Sequence, residues 1–197
     1  MKCQIKILSG KMRKIAACML FLTSLTSGQS IIFHSEQIRI DIMTHSCRLT
    51  GNYTFRNDSD RVIRQMLYYP FPDNIYLPFP HSITVTDDHG NIIDHENNRS
   101  GISFPIHILS DNTRCYSVVY EQSTPEQFFE YILDTTMDWH FPLASAEFII
   151  VVPDNISIEE ISLSDYEIIK NGEETRYRIY RENFRSDKNL SIQWRIK

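Results

Sequence analysis

Cys47-Arg48-Leu49-Thr50-Gly51-Asn52-Tyr53-Thr54-Phe55 decides the fold class. In an extended chain Cys47, Leu49, Gly51, Tyr53 and Phe55 share one face, while Arg48, Thr50, Asn52 and Thr54 take the other. The same period of two recurs on both sides. Upstream, Gln37–Met43 reads QIRIDIM. Downstream, Asn57-Asp58-Ser59-Asp60 is a turn of side chains that bond their own backbone, and Val62–Tyr69 resumes a strand that Pro70 and Pro72 stop. Ile83–Thr86 and Ile92-Ile93 flank Asp87-Asp88-His89-Gly90-Asn91, a hairpin in which Gly90 supplies a positive φ.

Further along, Ile102–Leu109 and Arg114–Glu121 form the next expected strand pair around Ser110–Thr113. Glu147–Val152 is a continuous apolar run ended by Pro153, the signature of a central strand. Ile156–Leu163 alternates, Asn171-Gly172 marks a hairpin between Tyr166–Lys170 and Thr175–Tyr180, and Leu190–Ile196 is apolar at every second residue. Turn signals every ~8–12 residues predict an all-β, mostly antiparallel sandwich. In one segment local rules lean to a helix over a strand. Thr124–Gln127 can cap a helix whose face is Phe128, Phe129, Ile132 and Leu133, whereas Phe129, Tyr131 and Leu133 alternate as a strand.

The chain has 197 residues, 42% hydrophobic and 23% charged, enough apolar material for one substantial core. Its N-terminus is set apart. Lys2, Lys6, Lys11, Arg13 and Lys14 precede an apolar run of 11 residues, Ile15–Leu25, which ends in Thr26-Ser27-Gly28. A positive region, a short apolar core and small exit residues form the layout of a secretory signal over residues 1–28. The run is shorter than the ~20 residues that span a bilayer. Met12 offers an alternative start, because Met-Arg-Lys already supplies a positive region. Cleavage after Gly28 moves the formal charge from −5 to −10 and leaves two of the four cysteines. Phosphate backbones repel so acidic a chain, so nucleic acid is not expected as a partner. No later segment is apolar for long enough to form a transmembrane helix.

Cys47 and Cys115 are the cysteines that survive export, and an oxidising compartment predicts that they form a disulfide. Closing so long a loop would contribute on the order of 4–5 kcal/mol. The alternative is two free thiols on unconnected strands. His81, Asp87, Asp88, His89, Asp94 and His95 are the densest group of metal-ligating types, but their spacing fits neither a zinc nor a calcium motif and reads as a solvated turn. No nucleophile elbow or phosphate loop occurs, so neither an enzyme nor a cofactor is expected. The segment Tyr68-Tyr69-Pro70-Phe71-Pro72 and its echo Leu77-Pro78-Phe79-Pro80 is the most unusual local feature. Tyr68, Tyr69, Phe71, Tyr76 and Phe79 either present rings to a ligand or cover one end of the core. Asn52, Asn57, Asn98, Asn155 and Asn189 each begin an N-x-[ST] triplet.

Two stretches carry a resemblance. Gly51-Asn52-Tyr53-Thr54-Phe55-Arg56-Asn57 is followed by Tyr69-Pro70-Phe71-Pro72. Tyr131-Ile132-Leu133-Asp134-Thr135-Thr136 is followed by Trp139, Pro142 and Ala146-Glu147-Phe148. Together they resemble a family of secreted bacterial all-β domains of unknown function, in which a Y-x-F-x-N strand leads to an F-P turn and a later Y-x-L-x-T strand precedes a tryptophan. The first pattern is also similar to the start of the vault/inter-α-trypsin (VIT) β-sandwich domain. The resemblance implies a strand over 125–134 and brings no catalytic residue with it.

The combined expectation is a signal peptide over 1–28 and one β-sandwich domain over 29–197; a division into two packed sub-sheets would fall near residue 111. The product is expected in the periplasm or outside the cell, as a non-catalytic binding or interaction module for an envelope protein or glycan. The alternative is a carbohydrate-binding module that uses Tyr68–Phe79.

Overall fold

Alternation of buried and exposed residues runs through strand after strand of the computed structural model, which describes residues 31–197. The predicted signal over 1–28, its cleavage after Gly28 and the alternative start at Met12 lie outside the described residues. Strands β1 (Ile31–Ile42) and β2 (Ser46–Asn57) form an antiparallel hairpin with Ile38 opposite Gly51. β2 turns Cys47, Leu49, Gly51, Tyr53, Phe55 and Asn57 inward, so the period-two pattern of Cys47–Phe55 is the face that meets the core. β1 carries a bulge between Phe33 and Ser35. An extra residue shifts the phase of a strand, so Phe33 and Glu36 both point inward, followed by Ile38, Ile40 and Ile42.

The remaining strands are β3 (Ile63–Pro70), β4 (His81–Asp87), β5 (Ile92–Ile93), β6 (Glu96–Asn98), β7 (Gly101–Ile108), β8 (Asn112–Ser123), β9 (Phe128–Tyr131), β10 (Leu143–Pro153), β11 (Ile156–Ile161), β12 (Glu167–Asn171), β13 (Glu174–Phe184) and β14 (Leu190–Ile196). A 3-10 turn covers Asp134–Asp138. One eight-stranded sheet has the order β12-β13-β10-β1-β2-β8-β4-β5. Two three-stranded sheets, β11-β14-β9 and β3-β7-β6, form the opposing layer. Rings from both small sheets meet the large one: Tyr69 against Tyr53, Phe104 against Tyr116 and Tyr131 against Phe148, with centroids 5.4, 6.2 and 6.4 Å apart. The protein is an all-β sandwich. Among the described residues every strand pairing is antiparallel except β1 with β10.

Several expectations hold at the level of single elements. Phe128–Tyr131 is a strand, Glu147–Val152 lies inside central β10, and Gly90 and Gly172 turn their hairpins at φ +79° and +62°. Three do not. First, the β7 and β8 segments do not pair. β7 lies between β3 and β6 in the small sheet, while β8 lies between β2 and β4 in the large one. The short link at Asp111, itself at φ +51°, carries the chain from one layer to the other. Second, the chain does not divide into two sub-sheets near 111, because the large sheet takes β1, β2, β4 and β5 from before that point and β8, β10, β12 and β13 from after it. Third, Cys47 and Cys115 are both free. Cys47 is opposite Gln122 and Cys115 opposite Thr54, so seven residues, or about 24 Å of strand, separate them along β8. Cys47 also faces the core while Cys115 lies on the outer face with Thr54. A disulfide needs Cα atoms within about 7 Å.

Candidate functional site

The aromatic-proline segment begins where Pro70 ends β3, since proline lacks the N–H that would continue the ladder. Phe71 N–H donates to Ser100 O at 2.8 Å and its ring enters the core. Asn74 then organises a tight turn: its Oδ1 accepts from the N–H groups of Tyr76 and Leu77, both at 3.0 Å. Its Nδ2 donates to Glu130 Oε2 at 2.9 Å, and Glu130 Oε1 accepts from Asn189 Nδ2 at 2.8 Å. Gln122 Nε2 holds Pro78 O at 2.8 Å. The loop is therefore pinned to β9 on one side and to β8 on the other.

That anchoring splits the five predicted ligand-binding residues. Tyr69 and Phe71 are only 7% and 3% exposed and belong to the core, so they cannot offer ring faces to a ligand. Tyr68 is half-buried, bonded through its hydroxyl to Ser100 Oγ at 3.0 Å and stacked over the space where Gly101 would carry a Cβ. Tyr76 and Phe79 are exposed by 52% and 41%. Sequence reasoning missed their neighbour Ile75, which is 91% exposed at the tip. Its signal was an isoleucine inside a proline-bounded turn, where no strand could bury it. Tyr76 meets half-buried Phe128 edge-on at 6.5 Å, and Phe79 meets Phe71 at 5.2 Å. The result is an apolar tip on a rigid footing.

Beneath the loop lies a cluster that the sequence reading also missed. Glu36 is fully buried, and its Oε2 accepts the Tyr131 hydroxyl at 2.9 Å. The Tyr131 and Tyr53 hydroxyls are 3.2 Å apart, and those of Tyr53 and Tyr69 are 2.8 Å apart. A tyrosine hydroxyl has one proton. The Tyr131 proton therefore has two acceptors in reach, Glu36 Oε2 and the Tyr53 hydroxyl, and can satisfy one of them at a time. Glu36 Oε1 has no partner. Burial raises the Glu36 carboxyl to a pKa of about 7, against the smaller opposing pull of the Tyr131 hydrogen bond. Burial also lifts Tyr53, Tyr69, Tyr120 and Tyr131 well above the usual phenol value. The available signal was phase: Glu36 falls on the same period-two face as Ile38, Ile40 and Ile42.

The histidine-acid group forms a hairpin cap. Asp87 Oδ1 accepts from His89 and Asn91 N–H, both at 2.9 Å, and the Asn91 side chain leads the interactions that hold the Asp87 carboxyl below its ordinary value. Arg114 lies 2.9 Å from Asp88 and 3.7 Å from Asp87. Among the described residues no three His, Cys, Asp or Glu side chains are placed to hold one metal ion. An open depression of about 680 Å³ lies at the ends of β1 and β10, bordered by Asp41, Met43, Val151, Pro153, Glu173 and Glu174. Arg39 and Arg176 already pair with its Asp41 and Glu174. Of the triplet asparagines, Asn57 is fully buried and the side chains of Asn52 and Asn189 are bonded internally, whereas Asn98 and Asn155 are exposed.

No family model and no curated protein matches the chain. Solved structures do. A Legionella pneumophila protein described as a "putative nutrient binding protein" superposes with a TM-score of 0.68 at 14% identity, over 83% of this chain and 66% of that one. An M1 zinc metallopeptidase from Deinococcus radiodurans gives a TM-score of 0.47 at 10% identity, over 84% of this chain and 42% of the peptidase. The chain spans just under two thirds of the first and less than half of the second. At 14% identity the likeness to the Legionella protein is one of fold, and the fold they share is the all-β sandwich described above.

Proposed function

We propose that this chain is an exported, non-catalytic binding module of the cell envelope, and that it grips a partner protein with the tip of the 71–80 loop. One observation carries the reading: Ile75, Tyr76 and Phe79 are held out in water by a loop whose other apolar residues, Phe71 and Leu77, are buried. A large apolar side chain gains about 1.5–3 kcal/mol on burial, so three of them on a braced loop form a ready anchor. Binding residues on loops set by a rigid scaffold are a common arrangement. The Legionella neighbour's description as a nutrient binding protein agrees with a binding role in general terms.

The second reading, a carbohydrate module, draws on the exposed rings of Tyr76 and Phe79. Ile75 at the tip favours protein, because a branched aliphatic side chain offers no flat face to a sugar ring. The test places a photo-crosslinking residue at exposed position 73, beside the tip and outside the three residues substituted below, and irradiates intact envelopes of the native host. The expected result is a discrete protein adduct that disappears in the triple variant Ile75→Asp, Tyr76→Ser, Phe79→Ser. Adducts unchanged by the triple variant would overturn the proposal. Retention on purified envelope glycan that needs Tyr76 and Phe79 but not Ile75 would establish the sugar reading instead.

A further inference from the structure

Three sheets meet at one buried carboxyl. Glu36 and Tyr53 belong to the eight-stranded sheet, Tyr69 is the last residue but one of β3 in one small sheet, and Tyr131 ends β9 of the other. Their hydroxyls form a single file, Tyr69 to Tyr53 to Tyr131 to Glu36, with gaps of 2.8, 3.2 and 2.9 Å. Two members of this file, Tyr69 and Tyr131, adjoin the roots of the 71–80 loop. Tyr69 stands two residues before Phe71, and Tyr131 follows Glu130, which holds Asn74. We propose that the file is a proton-operated latch: protonated Glu36 keeps the three sheets closed under the loop, and loss of its proton loosens both roots together.

The groups around Glu36 leave its charge uncompensated. The ionisable side chains turned toward it are Tyr131 from β9, Tyr53 from β2, Tyr69 from β3 and, behind Tyr69, Tyr120 from β8. All are acids. β10 contributes Ala146 opposite Glu36, with Phe148 nearby on the inward face. An ionised carboxylate has room for about four hydrogen bonds, yet a single donor reaches this one, and Oε1 has none. Taking a proton removes the charge and lets the file run the other way, from Glu36 to Tyr131 to Tyr53 to Tyr69, with no heavy atom displaced. A buried charge without a partner is the costlier state.

The direction of the pH effect follows. The folded carboxyl titrates near 7 and the unfolded one near 4.5, so between these values the folded protein holds the extra proton. Stability from this group is complete below 4.5 and is lost as pH rises through 7. The full span corresponds to a change of roughly 300-fold in the unfolding equilibrium, tenfold per unit of separation.

The experiment compares the full chain with Glu36→Gln by denaturant unfolding from pH 5 to 8.5, alongside hydrogen exchange corrected for intrinsic rate. The wild type is expected to lose stability across pH 5–7.5 and to lose protection in peptides covering 67–80 and 128–134. The difference from Glu36→Gln isolates the latch from other titrations, and that variant's profile is expected to lack the slope. Equal slopes in both proteins, or protection lost elsewhere but not at the two roots, would overturn the proposal. Should Glu36→Gln not fold, Tyr131→Phe serves. Removing the donor to the ionised form moves the transition to higher pH, and an unmoved transition refutes the latch.

Discussion

Gly51 shows how much one missing side chain settles. An added Cβ there would stand 2.1 Å from the Tyr53 hydroxyl and 2.5 Å from its Cζ, because the Tyr53 ring folds back over the glycine two residues before it. That ring cannot swing away, since it is buried and its hydroxyl is 2.8 Å from Tyr69 and 3.2 Å from Tyr131. Gly51→Ala is therefore expected to destabilise the protein by about 1–3 kcal/mol, the usual cost of overpacking. Truncating Tyr53 to Ala should make the second substitution nearly free. A double-mutant cycle in denaturant measures this, and additive penalties would show that the glycine and the ring do not compete for the same space. The period-two reading placed Gly51 on the inner face correctly. Its reason for being glycine became visible only with the ring above it.

Asn57 does at the level of elements what Gly51 does locally. It is the last residue of β2 and is fully buried. Its Nδ2 donates to Arg61 O at 2.6 Å, ahead of β3, and to Leu109 O at 2.9 Å, just past β7, while its Oδ1 accepts from Ser59 N–H and Oγ. One amide thus ties the end of β2 in the large sheet to both long strands of a small sheet. Asn57→Ala removes the amide donor from Ile108 O and Leu109 O and leaves Arg61 O with the Ser59 hydroxyl at 3.2 Å, and the expected loss is about 2–4 kcal/mol. Thermal and denaturant unfolding check it. A loss below about 1 kcal/mol would mean that water replaces the amide. The Y-x-F-x-N pattern pointed to Tyr53, Phe55 and Asn57 as structural positions, and all three face inward. The pairing of β7 was not legible beside them. Nothing in Ile102–Leu109 distinguishes β8 as a partner from β3, because each strand presents the same backbone ladder and a similar apolar face.

For the molecule as a whole, the two thiols give the sharpest check. Cys47 is buried, and burial raises its thiol far above the ordinary value, while half-buried Cys115 is raised less strongly. Alkylation without reductant should modify Cys115 slowly in the native protein and Cys47 only after unfolding. Intact mass follows both, and for protein recovered from the envelope it should also begin at Gln29. Resistance of both thiols in denaturant until a reductant is added would restore the bridge. The failed expectation has a physical reason. Whether two strand residues can bond depends on register and on which face each takes, and both are set by partners far away in sequence. The sequence by itself determined most of the long strands, the inward face of β2 and the hairpin turns at Gly90 and Gly172, since these follow from local backbone sterics and period-two burial. Only the tertiary structure decided which strands share a sheet, that Tyr69 and Phe71 are core while Ile75, Tyr76 and Phe79 reach water, and that Glu36 meets three tyrosines. Those outcomes depend on contacts between distant segments, and a local pattern carries no record of them.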